Sequence, residues 1–215
     1  MAVFLNTFKP LGCNKFGRNN ALNNNLPFFI DGSCRREPDF QNNFPAITQL
    51  CRPKKLVPRL NVGDLVIYLT KKGRYFNQSG HWRFIGILEV IDVVQNHTSA
   101  ATFYINRNII PSQNIICNQT APFSLNMTHG LCGFKRISLT PQRVITIWNR
   151  AYVYRSANYP QTAITRLWKN HLYLNNPPII TSQMMLNIFG RIPGTQNPPR
   201  LTNMEWTNFK IALNI

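Results

Sequence analysis

VGDLVIYLT at residues 62–70 and FIGILEVIDVV at residues 84–94 are the two stretches that decide the fold. Both are rich in β-branched and other apolar side chains, and the first follows a Gly-Asp turn, so they read as two strands of a buried sheet. The polar segment KKGRYFNQSGHWR at 71–83 joins them. Downstream, HTSAATFYI at 97–105 reads as a short helix with Asn96 or Thr98 as its cap. Short extended pieces are expected around 109–118 and 121–127. From Thr140, TPQRVITIWNRAYVYR carries Pro at a first helical position and apolar Val144, Ile147, Trp148 and Ala151 at helical spacing. TSQMMLNIFG reads as another helix, with Thr181 as cap and Gly190 as terminator, and NMEWTNFKIAL as a last one. RIPGTQNPPR at 191–200 is read as a loop.

Upstream of the two strands regular structure is harder to place. Pro38, Pro45, Pro53 and Pro58 forbid long elements between residues 28 and 60. AVFLNTF near the start is a short apolar opening, and the Gly- and Asn-rich stretch around Asn19 to Asn25 reads as a loop. Strands enter early and helices gather late. The expected fold class is therefore α+β, a small, strongly bent sheet or barrel flanked by helices. A single domain over residues 1–215 is expected, with its core at about 28–127 and a helical, basic extension at about 128–215.

The charge is lopsided. The chain holds 24 Lys and Arg against 7 Asp and Glu, a formal net charge of +17. No carboxylate side chain lies between Asp92 and Glu205, a span that contains ten bases. Internal ion pairs cannot neutralise that half, and such an excess suits a polyanionic partner, nucleic acid first. No run of 18 apolar residues is present, so a membrane partner is not expected. The opening MAVFLNTFKP lacks the pattern of a secretory signal, and five cysteines without a CxxC pair do not suggest a disulfide framework. The expected location is the cytoplasm.

Two constellations suit nucleic acid. In the first, Lys71, Lys72 and Arg74 are interleaved with Tyr75, Phe76, His81 and Trp82. Cations there can lie along phosphates while a planar ring stacks on a base. In the second, CRREPD at 34–39 and CRPKKLVPRL at 51–60 gather Arg35, Arg36, Arg52, Lys54, Lys55 and Arg59, with Glu37 and Asp39 placed to orient guanidinium groups. Enzymatic signatures are weaker. GxSxG, HExxH, GxGxxG and the P-loop pattern are absent, and His81, His97, His129 and His171 are scattered, so neither a metal nor a cofactor is expected. Glu37, Asp39 and Asp64 are the carboxylates on which a hydrolytic reading would rest. A Gly-Asp pair before a strand, as at Gly63-Asp64, is commonly a turn and nothing more.

VGDLVIYLTKKGRY, WRFIGILEVIDV and HTSAATFYI together resemble the core of the PUA-like superfamily, which includes the EVE, YTH and ASCH domains. FFIDGSCRREPDF with LCRPKKLVPRLNVGDLVIYLT is similar to bacterial and phage nucleotide-modification-associated domains. The resemblance spans about residues 28–127. It implies a bent, barrel-like sheet, one flipped and usually modified base held in an aromatic pocket, and basic loops gripping the backbone. Carried onto this chain, it makes Tyr68, Tyr75, Trp82 and Phe84 the candidate base pocket. The compact Trp cluster of the YTH branch is missing, so methyladenine recognition is not implied.

The expected function is that of a nucleic-acid-binding reader of a modified or flipped base in DNA, in a phage-related, defence or base-modification setting with a nuclease or modification enzyme as partner. The alternative is an enzyme acting on a nucleotide or nucleic-acid base through Glu37, Asp39 or Asp64. A third expectation is an assembly protein that holds nucleic acid by charge alone.

Overall fold

A strand with no polar face belongs in the middle of a sheet, and all six residues of LVIYLT at Leu65–Thr70 are buried. The computed structural model describes residues 1–33, 37–116, 141–194 and 196–215, with 141–149 described by backbone alone. Their order is β1 Val3–Phe8, α1 Lys15–Asn23, β2 Ala46–Ile47, β3 Leu65–Thr70, β4 Trp82–Val94, α2 His97–Ile105, α3 Pro141–Asn158, β5 Thr162–Asn170, β6 Ile179–Ile180, α4 Ser182–Phe189 and α5 Asn203–Leu213. The fold is α+β: a strongly curled mixed sheet that forms a half-barrel, flanked by helices.

The sheet runs β1-β3-β4-β5-β2, with β6 pairing the start of β4. β1 lies parallel to β3, with Asn6 opposite Tyr68, and the other pairings are antiparallel. Register shifts in β4, between Ile87 and Leu88 and between Val90 and Asp92, mark bulges that sharpen the local twist and curl the sheet. Gly86 sits at a close approach of β4 to β5 and Phe40. A Cβ there would stand 2.4 Å from the Lys169 carbonyl oxygen and 2.7 Å from the Phe40 ring.

Alternation along the strands builds two cores. Phe4, Phe8, Val66, Tyr68, Leu88 and Val90 pack with Leu11, Phe29, Phe40 and Leu56. Val3, Leu5, Ile67, Leu69, Phe84 and Ile87 meet Met185, Ile188 and Phe189 of α4 and Trp206 and Phe209 of α5. α2 contributes Ala100, Ala101 and Tyr104 to a third cluster with Ala46 and Ile164. α3 reaches the body through Tyr152, which packs with Leu50 and Ile116.

The structure departs from these expectations in several places. Residues around Asn19 to Asn25, read as a loop, include most of α1; the Asn14 side chain accepts from the Gly17 N–H at 2.8 Å and supplies the cap that starts it. The opening apolar stretch is an edge strand, β1. Trp82 and Arg83, left in the connecting segment by the apolar pattern but put at the head of the second strand by the resemblance, begin β4 and pair with Ile180 and Ile179. The run TAITRLWKN, which the sequence did not single out, is β5. The sheet thus draws strands from both sides of the 28–127 stretch. Of the extended pieces expected around 109–118 and 121–127, residues 109–116 are turn and irregular backbone, not strand, and the rest lies outside the described residues.

The helix signals behave as their chemistry requires. Asn96 caps α2, and Thr181 caps α4, with Gly190 ending it at φ +66°. Thr202 and Glu205 form a capping box at the start of α5. Among the described residues, no helix is long and apolar enough to cross a membrane.

Candidate nucleic-acid interface

Of the four rings expected to form a base pocket, Tyr68, Trp82 and Phe84 are built into the sheet and Tyr75 stands in the connection between β3 and β4. Tyr68 and Tyr75 are buried in the first core, Trp82 and Phe84 in the second, so the sheet itself stands between the pairs. Tyr68 meets Phe8 and Phe40 edge-on, and Phe84 meets Phe209 and His171 edge-on. The Tyr75 hydroxyl donates to the Lys71 carbonyl at 2.6 Å, and burial, the largest influence, pushes its pKa up to about 12. These residues do not line one open pocket. Strand alternation puts neighbours in sequence on opposite faces.

The carboxylates of the hydrolytic reading are engaged by the fold. Asp64 accepts from the Ala2 N–H at 2.5 Å and the Asn61 N–H at 2.9 Å, which fastens β1 to the turn before β3. Glu37 accepts from the Thr48 N–H at 2.9 Å, the Thr48 hydroxyl at 2.5 Å and the Asn114 amide at 3.1 Å. Asp39 accepts from the Ser112 hydroxyl at 3.1 Å and the Gln113 N–H at 2.8 Å. All three are buried. Among the described residues, no group of three or more His, Cys, Asp or Glu is arranged to hold a metal ion.

The candidate cations divide. Lys54, Lys55, Arg59, Lys71, Lys72 and Arg74 are exposed. Arg52 is half-buried and donates to the Thr7 carbonyl at 2.8 Å and to the Asn6 side chain, while Arg59 donates to the Pro198 carbonyl at 2.9 Å and covers the Phe4 ring. Lys72 lies over the Trp82 ring, 5.0 Å from its centroid, and donates to the Ser182 hydroxyl. Arg35 and Arg36 lie outside the described residues. Two ion pairs form among the described residues, Arg166 with Glu89 and Arg191 with Glu205, against the chain's net charge of +17. Among the described residues, most Lys and Arg side chains form no ion pair with a carboxylate.

What the sequence missed is an aromatic cleft beside the basic loop. Leu22 and Asn25 at the end of α1, the segment Leu26–Phe28, Gln41, Phe76 and the turn Leu172–Asn175 line a space of about 740 Å³. No Asp, Glu, Lys or Arg is among its lining residues. Phe28 and Phe76 stack with centroids 4.8 Å apart and planes 26° from parallel. Tyr173 is exposed across the cleft, and Asn25, Gln41 and Asn175 supply amides that both donate and accept. The one available sequence signal was Phe76 itself, two residues after Arg74. Nothing local marks Tyr173, which reaches the cleft through the turn after β5.

Phe76 is held in an unusual way. Its backbone has φ +53° and ψ +39°, the left-handed region that a bulky L-residue rarely occupies. Behind its ring is Arg83, fully buried, with its guanidinium carbon 5.8 Å from the Phe76 centroid and 5.9 Å from that of Phe29. The guanidinium donates to His81 Nε2 at 2.9 Å, the Pro177 carbonyl at 2.8 Å, Gln78 Oε1 at 3.0 Å and the Asn176 side-chain oxygen. Burial lowers its pKa from the ordinary guanidinium value, and no carboxylate pairs with it among the described residues. Arg83, at the start of β4, so ties Gln78 and His81 of the loop that carries Phe76 to Asn176 and Pro177, which follow the lining turn Leu172–Asn175.

The arrangement offers flat apolar walls, amides in the lining and a loop that carries cations as well as Phe76, which are parts suited to holding an unpaired base. Searched against known proteins, the chain matches no family model, no curated protein and no solved structure.

Proposed function

We propose that the chain is a nucleic-acid-binding protein, a reader of a flipped or modified base in DNA, and that the base enters the cleft between Phe28, Phe76 and Tyr173. The observation that carries this reading is an uncharged, ring-walled cleft whose Phe76 belongs to the same loop as Lys71, Lys72 and Arg74, on a chain of net charge +17. Lys and Arg supply sequence-blind affinity through counterion release. The rings and the Asn25, Gln41 and Asn175 amides select the extruded base, at an unstacking cost of a few kcal/mol. A curled sheet with flanking helices is compatible with a PUA-like architecture, and this supports membership of that superfamily as part of the proposal. The internal hydrogen bonds of Glu37, Asp39 and Asp64 favour a binder over a hydrolase.

Fluorescence anisotropy with a labelled single-stranded DNA tests the reading. Affinity should fall steeply between about 50 and 200 mM salt, because each neutralised phosphate releases a counterion. A strand carrying one abasic position, and a pair differing only by cytosine or 5-hydroxymethylcytosine, report base selection. Phe76→Ala should erase the difference between base and abasic site while leaving the salt slope in place. Salt-independent binding, or equal loss of both terms, would overturn the reading. Incubation of the same DNA with and without divalent metal addresses the enzymatic alternative, which predicts altered DNA.

A further inference from the structure

A second ring-lined site lies on the opposite face of the sheet. β5 sets Arg166 opposite Glu89 of β4, and Trp168 falls at the register shift between Ile87 and Leu88, where it lines the same groove as Glu89. α5 brings Trp206 and Lys210 to the same place, one helical turn apart. Together with Met1, Gly63 and Leu65, the residues Glu89, Trp168, Trp206 and Lys210 enclose a groove of about 330 Å³. A further depression of about 420 Å³ continues past Lys210 along α5.

The chemistry of this groove is specific. Trp168 is 43% exposed, although an indole of that size is ordinarily covered, and its centroid lies 6.0 Å from that of Trp206 at a tilt of 54°. Trp206 is fixed from behind by Phe209, stacked at 6.0 Å, so Trp168 presents the accessible ring. The Lys210 ammonium stands 5.4 Å from the Trp206 centroid. Glu89 is clamped by Arg166 through two hydrogen bonds of 2.9 Å, which orients the carboxylate without using all its lone pairs. A ring to stack on, an ammonium for an anion and an oriented acceptor define a planar heterocycle that bears both an amino group and a phosphate.

We propose that this groove binds a nucleotide with an exocyclic amino group, its base on Trp168, its amino group toward Glu89 and its phosphate on Lys210. For a polymer this deepens the reading above, on which it rests, by giving the strand a second foothold; binding of a free nucleotide does not depend on that reading.

The test is a titration of the intact chain with AMP, followed by indole emission, with ribose 5-phosphate and UMP as controls. AMP is expected to quench saturably, UMP more weakly and ribose 5-phosphate not at all. Trp168→Ala, a change at a half-exposed side chain, should weaken AMP roughly five- to a hundredfold, the range of one lost stacking contact. Lys210→Gln should weaken AMP but not adenosine, followed by calorimetry. Absence of saturable AMP binding, equal response to ribose 5-phosphate, or unchanged affinity in Trp168→Ala would overturn the proposal. So would a loss of AMP binding that follows Phe76→Ala instead of Trp168→Ala. If AMP binds as expected while single-stranded DNA does not, the groove stands and the proposed function falls.

Discussion

Phe76 allows a prediction whose sign is diagnostic. At an ordinary helix or strand position, Ala is more stabilising than Gly by about 0.5–1 kcal/mol, because Gly loses more chain entropy on folding. At Phe76, where φ is +53°, any L-residue carries about 1–2 kcal/mol of left-handed strain that Gly does not. Offsetting that strain against the entropy term leaves Phe76→Gly ahead of Phe76→Ala by about 0.5–1 kcal/mol. Both variants lose the ring, which is 46% exposed and stacks on Phe28. Half of a Phe transfer energy plus one aromatic pair puts that loss at about 2 kcal/mol, so both remain folded. Urea unfolding of the wild type and the two variants measures the order directly. In a chain of this size, the gap between the variants corresponds to roughly 1–4 °C in melting temperature. Ala equal to or above Gly would refute the left-handed backbone at this position, and with it the idea that the loop is strained to present the ring.

Three further outcomes follow from buried polar groups. Burial holds the His97 pKa down at about 4, from an ordinary 6.5, and the Ile116 N–H donates to its ring at 3.0 Å. The fold therefore favours neutral His97; its contribution is complete above about pH 6.5 and is lost as pH falls towards 4, on the order of 3 kcal/mol. Stability measured from pH 7 to 4 should show this loss in the wild type and a smaller one in His97→Gln. For Glu205, burial raises the pKa, but the Thr202 N–H and Arg191 outweigh it and the net shift is below the ordinary 4.5. The stability gap between wild type and Glu205→Gln should be present at pH 7 and close as pH drops below about 4.5, read by denaturant midpoints. Arg83→Lys keeps the charge but cannot reach the four acceptors at once, so it should cost about 2–3 kcal/mol and expose the 71–81 loop to limited proteolysis. Wild-type cleavage kinetics in that variant would dismiss Arg83 as the brace.

Residues 62–105 were the legible part of the fold. Continuous apolar runs name central strands, and side-chain caps such as Asn96 and Thr181 act on backbone N–H groups three residues away, so their signals are local. The same locality separates Gly63-Asp64, read as a turn and seen as one, from α1, whose Gly- and Asn-rich letters hide a helix started by Asn14. β5 was illegible because its buried half and its exposed half, with Arg166, Trp168 and Lys169, blur the alternation that marks a strand.

By itself, the amino-acid sequence determined the net charge, the scarcity of acids after Asp92, the two central strands and the helix caps. These depend on composition and on contacts within a few residues. Only the tertiary structure decided which rings face solvent. Tyr68, Tyr75, Trp82 and Phe84 are buried, while Phe28, Phe76 and Tyr173 wall one cleft and Trp168 and Trp206 another. The reason is geometric: a ring's exposure depends on which face of the curled sheet its strand presents and on what distant segments pack there, and an aromatic residue reads the same in either place.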